Sequence, residues 1–166
     1  VRALAGPEAV RPFMGSAELQ NLLESLRARS LVHVDLTDFS GELLQAVRQV
    51  VSEAGVHLAD PGRPLQEGSR LVLLIRGRVE ELQSSTSRAV HGAWISEARA
   101  TLELVRLDTR TVVTTLHAQE RGGAASRALA LQKATGAAAR KITPALKAAV
   151  AHLFVGTPEP ASLPSQ

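Results

Sequence analysis

Five side chains have the types that a metal-assisted hydrolase would use. His33, Asp35 and Asp38 lie close together, and His57 and Asp60 follow one helix later. Strand alternation places His33 and Asp35 on one face. Imidazoles and carboxylates from neighbouring strands can hold a divalent ion that acidifies a bound water. Such a centre needs three or four converging ligands and partners that orient them. Two histidines on separate strands fall short of that pattern. The simpler reading makes these residues polar strand ends, with Asp38 near a helix N-terminus where its charge is favourable. No metal ligand is assigned, and a metal-dependent hydrolase is kept only as the lesser alternative.

The other chemistry-bearing residues read the same way. A nucleophilic serine needs a base within hydrogen-bond reach, and neither Ser126 nor the Ser84–Ser87 cluster sits in a Gly-x-Ser-x-Gly elbow. Ser126 is expected at a helix start and the cluster in a loop. Gly122-Gly123 before a helix could cradle an anion, but no phosphate-loop or dinucleotide spacing accompanies it. Arg70, Arg76 and Arg78 share a parity and are expected on one strand face, where Arg88 and Arg99 could extend them into a basic patch for nucleic acid. Aromatics that would stack bases are nearly absent, so a nucleic-acid-binding module using scattered arginines is an alternative and not the leading reading. No catalytic, cofactor-binding or metal-binding residue is assigned, no small-molecule substrate is expected, and the chain reads as a non-enzyme.

The elements that position these residues follow from period and punctuation. Leu19, Leu22, Leu23 and Leu26 recur at helical spacing, with Ser16 as the expected cap. Leu31–Leu36 alternates as a half-buried strand. A second helix is expected after Ser40, with Phe39 and Leu44 as a staple, and Gly55 ends it. Val56–Ala59 reads as a short strand, and residues 60–64 form a turn. The apolar run Leu71–Ile75 predicts a central strand, Arg70–Leu82, covered on both faces. Gln83–Gly92 is expected to be a polar loop. A hairpin follows, Trp94–Leu107 and Val112–Ala118, turning at residues 108–111. Gly122-Gly123 is expected to break the second strand. A long C-terminal helix then starts near Ala124, with Ala128, Leu131, Thr135, Ala138, Ile142, Ala145, Ala149 and Leu153 as its seam and an interruption at Thr143-Pro144.

This order predicts an α+β fold: a single mixed, largely antiparallel sheet with helices mainly on one face and a long C-terminal helix. The expected organisation is a linker at 1–15, one domain at 16–154 and a disordered Pro- and Ser-rich tail at 155–166. A chain of 166 residues is long enough for one sizeable core. With aromatics at only 2%, that core must be aliphatic. The absence of cysteine excludes disulfides, Cys-ligated zinc and thiol catalysis. No apolar run is long enough for a transmembrane helix. The net charge is only +3, with arginines interleaved among glutamates, which reads as a solvated surface. Val1 reads as the start of a processed fragment.

The C-terminal half resembles a bacterial envelope domain. The residues that carry the likeness are Ile75-Arg76-Gly77-Arg78-Val79, Leu104–Val113 with Asp108-Thr109-Arg110-Thr111 at its turn, and Gly122-Gly123-Ala124-Ala125-Ser126-Arg127-Ala128-Leu129. This domain occurs in the flagellar protein FlgT, the amino-terminal part of TolB, the curli secretion protein CsgG and the penicillin-binding-protein activator lipoproteins. The group's hairpin usually carries a glycine after the threonine, and Val112 stands there instead. The resemblance implies a non-catalytic accessory or assembly domain in the periplasm or at the outer-membrane periphery, binding a protein partner, peptidoglycan-associated ones included. Loops held by rigid strands concentrate binding residues. Arg88, His91 and Trp94, types enriched at interface hot spots, are the predicted partner-binding patch, with burial of Trp94 under the last helix as the competing expectation.

Overall fold

The computed structural model describes residues 15–38, 41–60, 62, 64, 67–87 and 92–155. The elements run α1 (Ser16–Arg29), β1 (Ser30–Thr37), α2 (Glu42–Glu53), β2 (His57–Leu58), β3 (Arg70–Ser87), β4 (Ala93–Arg106), β5 (Thr111–Ala124) and α3 (Arg127–Val155). One five-stranded sheet has the order β2-β1-β3-β4-β5. β1 is parallel to β2 and β3, whereas β3, β4 and β5 pair antiparallel along most of their length. The expected α+β class and the mixed sheet hold.

Helices α2 and α3 cover one face. Val32, Leu73, Ile75, Leu102 and Leu104 of the sheet pack with Leu43, Val47 and Val51 of α2 and Ile142, Leu146 and Val150 of α3 in one aliphatic core. The other face of β3 is open. Arg76 and Arg78 are exposed there and Leu74 is half-buried, so the expected cover on both sides of the central strand is wrong. The apolar run belongs to a strand that is central in the sheet but roofed on one side only.

Several boundaries differ from expectation for local reasons. Helix α1 is capped at Gly15, with Ser16 already helical, and the Glu18 carboxylate accepts the Gly15 N–H at 3.1 Å. For α2, Phe39 and Ser40 lie outside the described residues. The N-cap position is Gly41 at φ 71°, and Asp38 Oδ2 accepts the Leu43 and Leu44 N–H groups at 2.8 and 3.3 Å. Residues 83–87 are strand, not loop, and pair with Ala93–Glu97.

Strand β5 runs through Gly122 and Gly123 instead of stopping. A Cβ on Gly122 would lie 2.3 Å from Ala130 O and 2.5 Å from Ala134 N. The glycine is there because α3 rests directly on the strand. That contact also sets the helix phase. The buried seam is Ala130, Ala134, Ala138, Ile142, Leu146 and Val150, while Ala128 and Ala145 of the predicted seam are exposed. Pro144 lies inside one continuous α3, with Thr143 Oγ1 donating to Ala139 O at 2.7 Å, so the expected interruption at Thr143-Pro144 does not break the helix.

Helix α1 runs into β1 with no loop, since Ser30 is both its C-cap and the first residue of the strand. It has no buried residue. Arg27 ties it to the body by donating from Nη2 to Phe154 O at 3.2 Å, a cation on the carbonyl end of α3. Residues 1–14 and 156–166, most of the predicted linker and tail, lie outside the described residues.

Candidate functional site

The candidate hydrolase residues do not converge. Asp38 caps α2, and Asp60 Oδ1 accepts the Gly62 N–H at 3.0 Å. His33 pairs across from Leu74 and Asp35 from Arg76 on the open face, and His57 pairs across from Leu31 on the two-residue β2. Among the described residues no three His, Asp or Glu side chains are grouped to hold a metal.

The serines form a clamp. Ser96 is fully buried, and its hydroxyl meets Ser84 Oγ at 2.7 Å. Ser84 also donates to the Glu81 carboxylate, which Arg127 grips from Nη2 at 2.9 and 3.0 Å. The Ser84 hydroxyl and then the Arg127 guanidinium hold the Glu81 carboxyl below its ordinary range. A carboxylate so stabilised is a poor proton acceptor, so this arrangement does not activate a nucleophile. It pins the far end of the β3–β4 ribbon to the start of α3. Ser126 caps that helix as expected, its carbonyl accepting the Ala130 N–H at 3.0 Å.

The arginines divide between two faces. The β3 register slips between Leu71 and Leu73, so Arg70 pairs with Ser30 while Arg76 pairs with Asp35. One extra residue in a strand reverses which face its neighbours occupy. Arg70 therefore lies on the helix side, apart from Arg76 and Arg78, and the three do not form the expected row. On the open face the charges are matched: Arg76 bridges Glu103 at 2.7 Å, Arg78 bridges Glu80 at 3.0 Å, and Arg121 bridges Glu97 at 3.3 Å. Arg99 donates to Gln119 at 3.1 Å. The Gln119 amide and Arg121 hold the Glu97 carboxyl low. Such a ladder is solvated and neutral, unlike the one-signed stripe that tracks phosphates.

A cavity of about 210 Å³ opens where the sheet meets the end of α3, lined by Arg70, Val72, Leu73, Arg106, Asp108, Leu153 and Phe154. Arg106 is already bound to Asp108 at 2.9 Å, which keeps that carboxyl ionised to lower pH. No sequence signal marks this cavity, because the slip that turns Arg70 toward it leaves no trace in residue type.

Of the predicted patch, Arg88 and His91 lie outside the described residues. Trp94 is half-buried on the helix side of β4, across from Thr86 and Ala124, and Ile95 beside it is 37% exposed. The sequence reading missed a second surface. The α1 leucines, expected on one face of a helix, are exposed at 47% (Leu19), 44% (Leu22), 48% (Leu23) and 54% (Leu26). Helical period reports that a stripe exists but not what covers it.

A mixed sheet roofed by a long C-terminal helix, with no metal-holding cluster among the described residues, defines an α+β module. No family model and no curated relative matches the chain. Among solved structures, a Helicobacter pylori protein described as a homologue of a neuraminyllactose-binding hemagglutinin shares the fold, with a TM-score of 0.51 and 13% identity over 78% of this chain and 86% of that one. A minor lipoprotein from Acinetobacter baumannii matches with a TM-score of 0.45 and 11% identity, covering 72% of this chain and 94% of its own. A lipoprotein from Neisseria meningitidis matches with a TM-score of 0.41 and 15% identity, covering 77% and 99%.

Proposed function

We propose that the protein is a non-catalytic accessory or assembly domain of the bacterial envelope, working through protein contacts in the periplasm or at the outer-membrane periphery. The likeness to the FlgT, TolB, CsgG and activator-lipoprotein group supports the compartment and leaves room for peptidoglycan-associated partners. The observation that carries the contact role is the far end of the β3–β4 ribbon, where Trp94 is half-buried on the helix side and Ile95 is exposed on the opposite, charge-balanced face. Aromatic anchors with polar surroundings are the usual energetic centre of an interface. The carboxylate nearest a serine there is held by an arginine, which supports a structural role for that pair.

Capture from envelope extracts, with bound proteins identified by mass, tests the reading. One partner should be enriched over controls and lost with Trp94→Ala while the variant still folds. Unchanged capture by folded Trp94→Ala would remove the patch. Binding of random-sequence RNA that weakens steeply with salt would favour the nucleic-acid alternative instead.

A further inference from the structure

The leucine stripe of α1 has a geometry that selects its own occupant. Leu19, Leu22, Leu23 and Leu26 are each about half exposed on a helix with no buried residue. The ends of that helix carry opposite charge, with Glu18 in the first turn and Arg27 and Arg29 in the last. We propose that this face pairs with α1 of a second copy of the chain, antiparallel and about a two-fold axis. This inference goes beyond the partner reading above and does not depend on the compartment.

The register follows from the stripe. An antiparallel pair that lays all the leucines on one another sets Leu19 across from Leu26 of the other copy and Leu22 across from Leu23. In such a pair like flanks face each other; Glu18 and Arg29 share one flank of the stripe, so the same register brings Glu18 within about one turn of Arg29 of the other copy, twice by symmetry. No like charges face each other, and the two helix dipoles oppose. A shift of one turn in either direction loses at least one leucine layer. A parallel pair would turn the Glu18–Arg29 flank toward the flank of Gln20 and Arg27, leave Glu18 with no cation at its level, and align the two helix dipoles. Self-complementarity of one patch is what a two-fold interface requires.

A lipid surface fits less well. Interfacial helices carry an excess of Lys and Arg with Trp or Phe on the apolar side, whereas α1 balances Glu18 and Glu24 against Arg27 and Arg29 and has no aromatic residue. Four leucines per copy give a contact smaller than a standard interface, so the pair should be weak, with a dissociation constant on the order of 100 µM.

Sedimentation equilibrium of the full chain from about 1 µM to 1 mM should follow a monomer–dimer curve starting from 17.6 kDa. Leu22→Glu with Leu23→Glu should weaken it by about 100-fold or more, with folding unchanged because both side chains are half exposed. The chain has no cysteine, so orientation can be read by cross-linking. An isotope-labelled Leu19→Cys chain mixed with an unlabelled Leu26→Cys chain should form the mixed disulfide faster than either like pair. A monomer at every concentration, a dimer indifferent to the glutamates, or faster like-pair disulfides would each overturn the proposal.

Discussion

Helices α1 and α3 carry comparable amphipathic signals in the sequence and have opposite fates. α1 presents four leucines on one face and buries none of them. α3 presents mostly alanine on its buried seam and is the roof of the core. Side-chain size does not decide between them. The contact between α3 and β5 exists because Gly122 lets two backbones approach, and small residues on the helix keep that distance short. Among the described residues α1 has no such facing surface, and the Arg27 bond to Phe154 O ties it to the body. Burial depends on the shape of what lies opposite, and hydrophobicity supplies the drive only once that shape is available.

The largest effect should come from breaking that close approach. Gly122→Leu drives a Cβ into the Ala130 carbonyl and the Ala134 amide, both backbone atoms that cannot yield alone. A loss of about 3 kcal/mol or more is expected in denaturant unfolding; a change under about 1 kcal/mol would show that α3 is not held by this contact. Ile142→Ala, at 2% exposure on the same helix, should cost about 2–4 kcal/mol through the cavity it leaves.

Smaller is the clamp at the α3 start. Arg127→Ala should cost up to about 1 kcal/mol at pH 7, since the pair is partly exposed. Because the folded Glu81 carboxyl is held low, its contribution is present above the ordinary value of 4.5 and is lost as pH falls through the depressed one. The stability gap between the two proteins should therefore narrow as pH falls below 4.5, and a gap constant with pH would assign the effect to lost packing. Smallest is α1 itself. Leu22→Ala, measured on dilute protein, should change stability by only about 0.5 kcal/mol, and a cost near that of Ile142→Ala would mean that the stripe is core after all.

The same contrast explains what the sequence made legible. The hairpin, the central strand and the long helix were readable because alternation and helical period persist over many residues. Trp94, Ala98, Ala100, Leu102 and Leu104 do share the helix side of β4. What failed were features of one residue. The slip near Val72 moved Arg70 to the other face and dissolved the predicted arginine row. Gly122 looked like a strand breaker because its reason lies on a helix that follows it in the chain. The phase of α3 was unreadable because apolar residues surround the helix, and only the β5 contact fixes which side is inner. For the candidate site, Trp94 could be followed into the structure, while Arg88 and His91 fall outside the described residues.

The seamless join at Ser30 has a mechanical meaning. With no loop between α1 and β1, the helix acts as a handle fixed to the strand, and a pull on it is delivered along the strand axis. β1 runs parallel to β3 and is paired with it from Ser30 to Thr37, so its hydrogen bonds would be loaded in shear, all together, and not peeled one after another. A tether attached ahead of α1 would thus transmit tension into the middle of the sheet, where the fold resists it best.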